Sequence, residues 1–229
     1  SKSDSVFVQT YFRSLGIPTF VSERNVVELS KTRRISLEDA ARSARYEFFA
    51  SHIHEKDNQS ILILGHNFED QVETILMHII RGSGLNGLQG MAEISHQTIG
   101  ALSLNIFRPM LSLKRSSILE YCHDNNVPWR SDRTNSSTDY TRNSIRLELL
   151  PFLEKYNSAI FRSIDKLGRS AKRDYDYIQE KVDEIWPSTI SLIDEEISIK
   201  MNSFNKLHES LKWRILQKAA QIAIGNQRD

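Results

Sequence analysis

The sequence predicts an α/β fold, a parallel twisted sheet flanked by helices, followed by a mainly helical linker and a small C-terminal part. Two neighbouring patterns carry the prediction. Ile61-Leu62-Ile63-Leu64 is an unbroken apolar run between Ser60 and Gly65, which suits a strand covered on both faces, as in a parallel sheet. Phe68, Val72, Ile75, Leu76, Ile79 and Ile80 then recur at i, i+4, i+7, i+8, i+11 and i+12, one apolar stripe of a helix. Asn67 suits the N-cap, so the helix starts within two residues of the strand. Open α/β sheets bind ligands at such junctions, beyond the carboxyl ends of their strands. His66 sits on the junction, and Asp70 and Glu73, three apart, share a face of the first turns away from the apolar stripe. Two adjacent carboxylates suit a cation, and they equally suit the positive end of a helix dipole.

Along the chain, Val8, Tyr11, Phe12 and Leu15 predict a helix over residues 6–15, stopped by Gly16. Ile17 to Val21 reads as a short strand. Glu23 to Arg34, with Lys31, Arg33 and Arg34 grouped, reads as a polar loop over a site or as a solvated face. Ser36 with Asp39 resembles a capping box and opens a helix with Leu37, Ala41, Ala44 and Phe48 on one face. Arg42, Arg45 and Tyr46 lie off that face, as surface groups or as ligand contacts. Residues 54–60 form a polar turn before the central strand.

Gly82, Gly84, Gly87 and Gly90 place four of nine glycines within nine residues, a stretch whose backbone N–H groups can approach an anion. It is not a Walker loop, because the Gly-Lys-Ser/Thr ending is absent and it follows a helix. Leu102, Leu104 and Ile106 alternate as a half-exposed strand that delivers Arg108-Pro109. A helix capped by Ser112 is expected to bury Leu113, Ile118, Tyr121 and Cys122, and a polar loop runs from Trp129 to Asp139. Arg142 and Arg146 fall on one face of a short helix, opposite Ile145 and Leu149, that ends near Pro151.

From Ser158 to Trp186, Ile160, Ile164, Leu167, Ala171, Tyr175, Ile178, Val182 and Ile185 keep a helical period until Pro187. Within this helix Arg162, Lys166, Arg169, Lys172 and Arg173 face only Asp165, a basic stripe of the kind that contacts phosphates or a plain solvated face. Ile190, Leu192, Ile197 and Ile199 read as two short strands, and Leu207, Leu211, Leu216, Ala219 and Ala223 as a last helix.

The 229 residues are 39% hydrophobic, enough for one large domain and a smaller one. The boundaries expected are 1–155, a linker helix over 156–187, and 188–229. A formal charge of +1 says nothing about a nucleic-acid partner, which only local clustering can signal. The single cysteine, Cys122, excludes an intrachain disulfide and a Cys-x-x-Cys metal site. No apolar run approaches the ~20 residues of a membrane span, and no signal-peptide pattern is present, so a soluble, cytoplasmic chain without a membrane partner is expected.

Gly65-His66-x-x-x-Asp70-Gln71-x-Glu73-Thr74, followed by Arg81-Gly82-Ser83-Gly84-Leu85-x-Gly87-Leu88-x-Gly90-Met91, resembles the tRNA-isoleucine lysidine synthetases, a branch of the PP-loop ATP pyrophosphatases. The match continues through Arg108-Pro109, Trp129 with Asp132, Thr134-Asn135, and Asp139-Tyr140-x-Arg142-Asn143-x-Ile145-Arg146, with Ala41-Arg42-x-x-Arg45-Tyr46 upstream. It is strong over residues 36–153. The family's Ser-Gly-Gly-x-Asp-Ser phosphate turn has no counterpart here. The resemblance therefore implies an N-terminally incomplete catalytic domain, not expected to form lysidine by itself, and a C-terminal domain that is also incomplete.

The resemblance implies a PP-loop, adenine-nucleotide α-hydrolase-like fold and a two-step ligase. ATP adenylates the wobble cytidine of tRNA(Ile), and free L-lysine then displaces AMP. ATP and Mg²⁺ are the implied cofactors, and a homodimer is left open. Asp70, Glu73 and Arg81 are then expected to be catalytic, with Asp70 and Glu73 also binding lysine; no protein-held metal is expected. His66, Arg81 and Arg108 are expected at the nucleotide. Arg142, Asn143 and Arg146 are expected at the tRNA backbone, as are Arg162, Lys166, Arg169, Lys172 and Arg173 of the basic stripe. The alternatives are a PP-loop tRNA thiolase, disfavoured in its Cys-x-x-Cys forms by the lone Cys122, and a non-catalytic RNA-binding remnant.

Overall fold

A computed structural model describes residues 2–52, 60–99, 102–130, 141–193 and 196–225. The expected turn over 54–60 and loop from Trp129 to Asp139 fall almost wholly outside them, as do Asp132, Thr134, Asn135, Asp139 and Tyr140. The chain forms two compact units, Ser1–Ile80 with Gly90–Asp165, and Arg81–Gln89 with Lys166–Asp229.

In the first unit, helix α1 (Lys2–Ser14) stops at Gly16, whose φ of 72° favours a residue without a Cβ. The strand expected over Ile17 to Val21 does not form. Pro18 removes a ladder donor there, and Phe20 stands 63% exposed. The expected loop after it contains helix α2 (Val26–Arg33), started by the Asn25 side chain accepting the Glu28 N–H and ended by Arg34 in the left-handed region. No residue of α2 is buried, so it lacks the apolar stripe by which helices are read. Helix α3 (Leu37–Ala50) opens as expected on Ser36, whose hydroxyl accepts the Asp39 N–H at 3.0 Å and donates to its carboxylate at 2.6 Å. Its buried face is Ala40, Ala44, Tyr46 and Ala50, whereas Leu37 is exposed.

Strand β1 (Ile61–Ile63) leads into helix α4 (Phe68–Ile80), and a single turn of helix α5 (Leu85–Leu88) follows. Strands β2 (Ile94–Ile99) and β3 (Leu102–Phe107) complete a three-stranded sheet of order β1-β3-β2. The architecture is α/β and the sheet is mixed: β1 runs parallel to β3, and β2 antiparallel, with Ile94 opposite Phe107. Leu104 and Ile106 of β3 are fully buried with Tyr46, and Leu62, Leu64 and Phe49 pack against them. The coverage of both faces expected at β1 is absent among the described residues, where Ile61 and Ile63 are exposed.

Helix α6 (Arg115–Asp124) starts at Lys114 and not at Ser112. Its first-turn N–H, on Arg115, is met instead by the Glu69 carboxylate of α4 at 2.9 Å. It buries no residue completely, and Leu113 and Tyr121 are exposed. Helix α7 (Thr141–Ser144) passes through one π-helical turn (Ile145–Leu149) into helix α8 (Leu150–Glu154). The Leu150 N–H reaches the Ile145 carbonyl five residues back, and Pro151 then sits in the first turn of α8, where a missing N–H costs little. The helical path therefore runs past the proline expected to end it. Val72, Ile75, Leu76 and Met77 of α4 form the larger core with Ile145, Leu150 and Ile164.

Helix α9 (Ile160–Thr189) also passes its proline, Pro187, which lies near enough to the end to cost only a last-turn bond. Leu167, expected inside, is exposed. In the second unit, strands β4 (Ile190–Ile193) and β5 (Glu196–Ile199) form as expected, and they pair antiparallel. Helices α10 (Met201–Phe204) and α11 (Glu209–Gly225) follow. Val182, Ile190 and Ile215 form this unit's core. Leu207, Leu211 and Ala219 face inward as expected, but Ile215 takes the buried position expected of Leu216, which is exposed.

Candidate functional site

The junction between β1 and α4 is closed by reciprocal capping. The Asn67 side chain accepts the Asp70 N–H and the Asp70 carboxylate accepts the Asn67 N–H, each at 3.0 Å. Asp70 and Glu73 do share a face, but it is not open. Glu73 is 1% exposed and accepts Arg142 Nε at 2.9 Å, Arg146 Nε at 2.6 Å and Arg146 Nη2 at 2.9 Å. Asp70 Oδ1 accepts Arg146 Nη2 at 3.2 Å and Arg142 Nη2 at 3.4 Å. Arg142 and Arg146 are i, i+4 across the π turn and so present both guanidiniums to the i, i+3 acid pair. A buried carboxylate needs such partners, and the bonds to Glu73 hold the Arg146 pKa above its ordinary value.

Beside this quartet stand two buried nitrogens without a hydrogen-bond partner, His66 Nδ1 and Arg108 Nε. Arg108 leaves β3 and is 6% exposed; its Nη1 donates to the Ala92 carbonyl and the Ser95 hydroxyl, each at 2.8 Å. Burial draws the Arg108 guanidinium down from its ordinary value. Burial also holds the His66 imidazole below the usual histidine range, opposed by Asp70 and assisted by Arg108, Arg142 and Arg42. The site therefore pairs a neutral imidazole with excess guanidinium charge at the carboxyl ends of two parallel strands.

Tyr46 and Arg42 belong to this neighbourhood. Tyr46 is buried, and the Arg42 guanidinium lies 4.8 Å above its ring and donates to its hydroxyl at 3.4 Å. The Arg42-x-x-Arg45-Tyr46 pattern was the available signal. Gln71 is a positioning residue that spacing did not reveal. Its side chain donates to the Met91 carbonyl at 3.0 Å and accepts the Met91 N–H at 2.7 Å, holding the turn where Gly90 has a φ of 70°.

Other expected site residues lie elsewhere. Arg81 is exposed and follows the last residue of α4, at the other end of that helix from His66 and Asp70. Asn143 sits in α7 between the two quartet arginines in sequence, half-buried. Arg162, Lys166, Arg169, Lys172 and Arg173 are all exposed on α9. Asp165 is not their sole opposing charge, because Lys172 pairs with Asp176 at 2.8 Å. Among the described residues no group of three or more His, Cys, Asp or Glu side chains could hold a metal. The acid pair does not fit Mg²⁺, since guanidiniums occupy its oxygens. Among the described residues no helix is long and apolar enough to cross a membrane.

The PP-loop domain model matches residues 1–153. The chain is 35% identical to the tRNA(Ile)-lysidine synthase of Clostridioides difficile (strain 630), covering 99% of this chain and 48% of that protein. It is 36% identical to the tRNA(Ile)-lysidine synthase of Clostridium perfringens (strain 13 / Type A), covering 94% and 44%. It is 31% identical to that of Dehalococcoides mccartyi (strain CBDB1), covering 100% and 49%. The chain thus spans about half the length of the curated relatives it matches. With the PP-loop match reaching across most of the sequence and the site standing at the carboxyl ends of its parallel strands, this chain belongs to the PP-loop domain family.

Proposed function

We propose that the chain acts in tRNA modification, as the part of a tRNA(Ile)-lysidine synthase that binds ATP and lysine at the junction of β1 and α4. The reaction joins free L-lysine to the wobble cytidine of tRNA(Ile). The cytosine carbonyl oxygen attacks the α-phosphorus of ATP and pyrophosphate leaves. The side-chain amine of lysine then attacks the activated ring carbon, and AMP leaves with that oxygen. Such chemistry fits the cytoplasm and a PP-loop sheet of the nucleotide α-hydrolase type, with a catalytic domain over 1–155, a linker over 156–187 and a small domain over 188–229.

The observation that carries this reading is the quartet of Asp70, Glu73, Arg142 and Arg146 beside His66 and Arg108. An α-amino acid presents an ammonium and a carboxylate together, and the quartet offers an acid, Asp70, within 3.4 Å of two guanidiniums. Asp70 is the partly exposed acid and takes the ammonium, the two arginines take the carboxylate, and buried Glu73 holds the arginines. Arg142 and Arg146 thereby move from the tRNA backbone to lysine. His66 and Arg108, with unpaired buried nitrogens, suit the nucleotide phosphates or the developing adenylate charge. Mg²⁺ enters with ATP on its phosphates and not on the acid pair.

The test is ATP–pyrophosphate exchange and lysine incorporation with tRNA(Ile) in the chain completed with the family's phosphate-binding strands, comparing Asp70→Asn with that parent. A charge-assisted contact is worth about 1.5–3 kcal/mol. The apparent KM for lysine should therefore rise roughly tenfold to a hundredfold, with exchange nearly intact. Loss of exchange that high Mg²⁺ restores would make the acids metal ligands and defeat the lysine assignment.

A further inference from the structure

The second unit contains a cavity of about 520 Å³ outside the site described above. Its walls come from α9, α11 and the turn at Gly84 and Asn86, and its principal side chains are Tyr175, Gln179, Trp213, Arg214, Gln217 and Lys218. Trp213 is 62% exposed, an unusual position for so large an apolar ring. The Arg214 guanidinium lies 4.9 Å above the Tyr175 ring and donates to Gln217 at 3.1 Å. Lys218 is held by Asp183 at 2.6 Å and by the Trp186 ring at 4.6 Å. No carboxylate lines the cavity, which argues against a cationic ligand, and its many polar side chains argue against an apolar one.

We propose that this cavity binds one unpaired base of an RNA strand, stacked on Trp213 and read at its edge by the amides of Gln179, Gln217 and Gln221. Flat rings beside a guanidinium and side-chain amides are the means by which proteins hold splayed-out bases. The phosphates of the same strand have a track ready. Lys172 stands three residues before Tyr175, on the same face of α9, with Arg169 about a turn before it and Arg173 next to it in sequence. The Lys172–Asp176 pair is half-exposed and weakly held, so a phosphate can replace the acid. The choice of RNA over another polymer rests on the tRNA reading above.

The test titrates the full chain with a short unstructured RNA oligomer and with the same oligomer carrying abasic positions, following tryptophan fluorescence and affinity. Trp213→Ala should weaken the natural oligomer by about five- to a hundredfold, down to the affinity of the abasic one. The salt slope should stay unchanged, because the phosphate contacts remain. Trp213→Phe keeps a stacking face and should recover most of the affinity, which separates stacking from misfolding. Equal affinity of parent and Trp213→Ala for the natural oligomer overturns the inference. So does a concentration-dependent self-association that Trp213→Ala abolishes, which would make the surface a protein interface. Trp213-dependent RNA binding without lysine incorporation, once the chain is completed with the family's phosphate-binding strands, leaves the inference standing and defeats the proposed function. Lysine incorporation with tRNA affinity indifferent to Trp213 does the reverse.

Discussion

Glu73 is the residue on which the site depends most. It is the single fully buried carboxylate among the described residues, and its two oxygens accept three guanidinium bonds. Removing one member of a buried pair costs more than the pair contributes, because the survivors lose their counter-charge. Arg142 and Arg146 keep Asp70 and are 30% and 26% exposed, so the cost falls below the fully buried limit. Glu73→Gln should destabilise by about 1–3 kcal/mol, read as a lower urea midpoint with an unchanged m-value. His66 makes the pH prediction. Its folded pKa lies below the ordinary 6.5, chiefly through burial. As the pH falls from the unfolded pKa through the folded one, the unfolded chain binds more protons, so stability declines over that window and is fully present above it. His66→Gln should remove that part of the pH dependence. A triphosphate bound beside His66 favours the imidazolium, so the ring's NMR titration midpoint should rise when ATP is added. A midpoint indifferent to ATP would place the phosphates elsewhere.

At the scale of elements, α4 is held at several places by other segments. Glu69 caps α6, Gln71 clamps the turn at Gly90 and Met91, and Asp70 and Glu73 anchor α7 and the π turn. A Cβ on Gly90 would stand 2.7 Å from the Gln71 amide, on a backbone with φ of 70°. Gly90→Ala should therefore cost about 1–2 kcal/mol from the left-handed conformation alone, plus the clash. Gln71→Ala removes the clash but not the conformational strain. The double variant should be less destabilised than the sum of the singles, and strict additivity in that cycle would mean the two residues do not touch. Glu69→Ala should cost about 1 kcal/mol by uncapping α6, seen as faster amide exchange confined to the first turn of that helix.

At the scale of the whole molecule, the two units have separate cores. One centres on Val72, Ile75 and Ile145, the other on Val182, Ile190 and Ile215. Contiguous cooperative segments of this kind open with their own free energies. Ile215→Ala, at a fully buried position, should cost about 2–5 kcal/mol. Hydrogen exchange should then accelerate across residues 166–225 while the amides of α4 keep their protection. Equal acceleration in both units would mean that they unfold as one.

Much of this fold was legible from short-range pattern. The stripe from Phe68 to Ile80, the caps at Asn67 and Ser36, the stop at Gly16, the long helix α9 and the β4–β5 hairpin all depend on interactions between residues a few positions apart, which leave a period or a spacing in the chain. The place of the site was legible for the same reason, since a strand running directly into a capped helix is a local feature. Its chemistry was not. Glu73 meets Arg142 and Arg146 across 69 and 73 positions, and no spacing rule connects them. Strand β2 has no clean apolar alternation and exists because β3 supplies its ladder partners. Tyr46 reads as an amphipathic surface residue until Leu104 and Ile106 cover it. The helix runs past Pro151 because a π turn shifts the hydrogen-bond register just before it. For the quartet and for Tyr46 the deciding contact joins segments far apart in the chain, and burial, pairing and register are properties of the assembled fold that local composition does not carry.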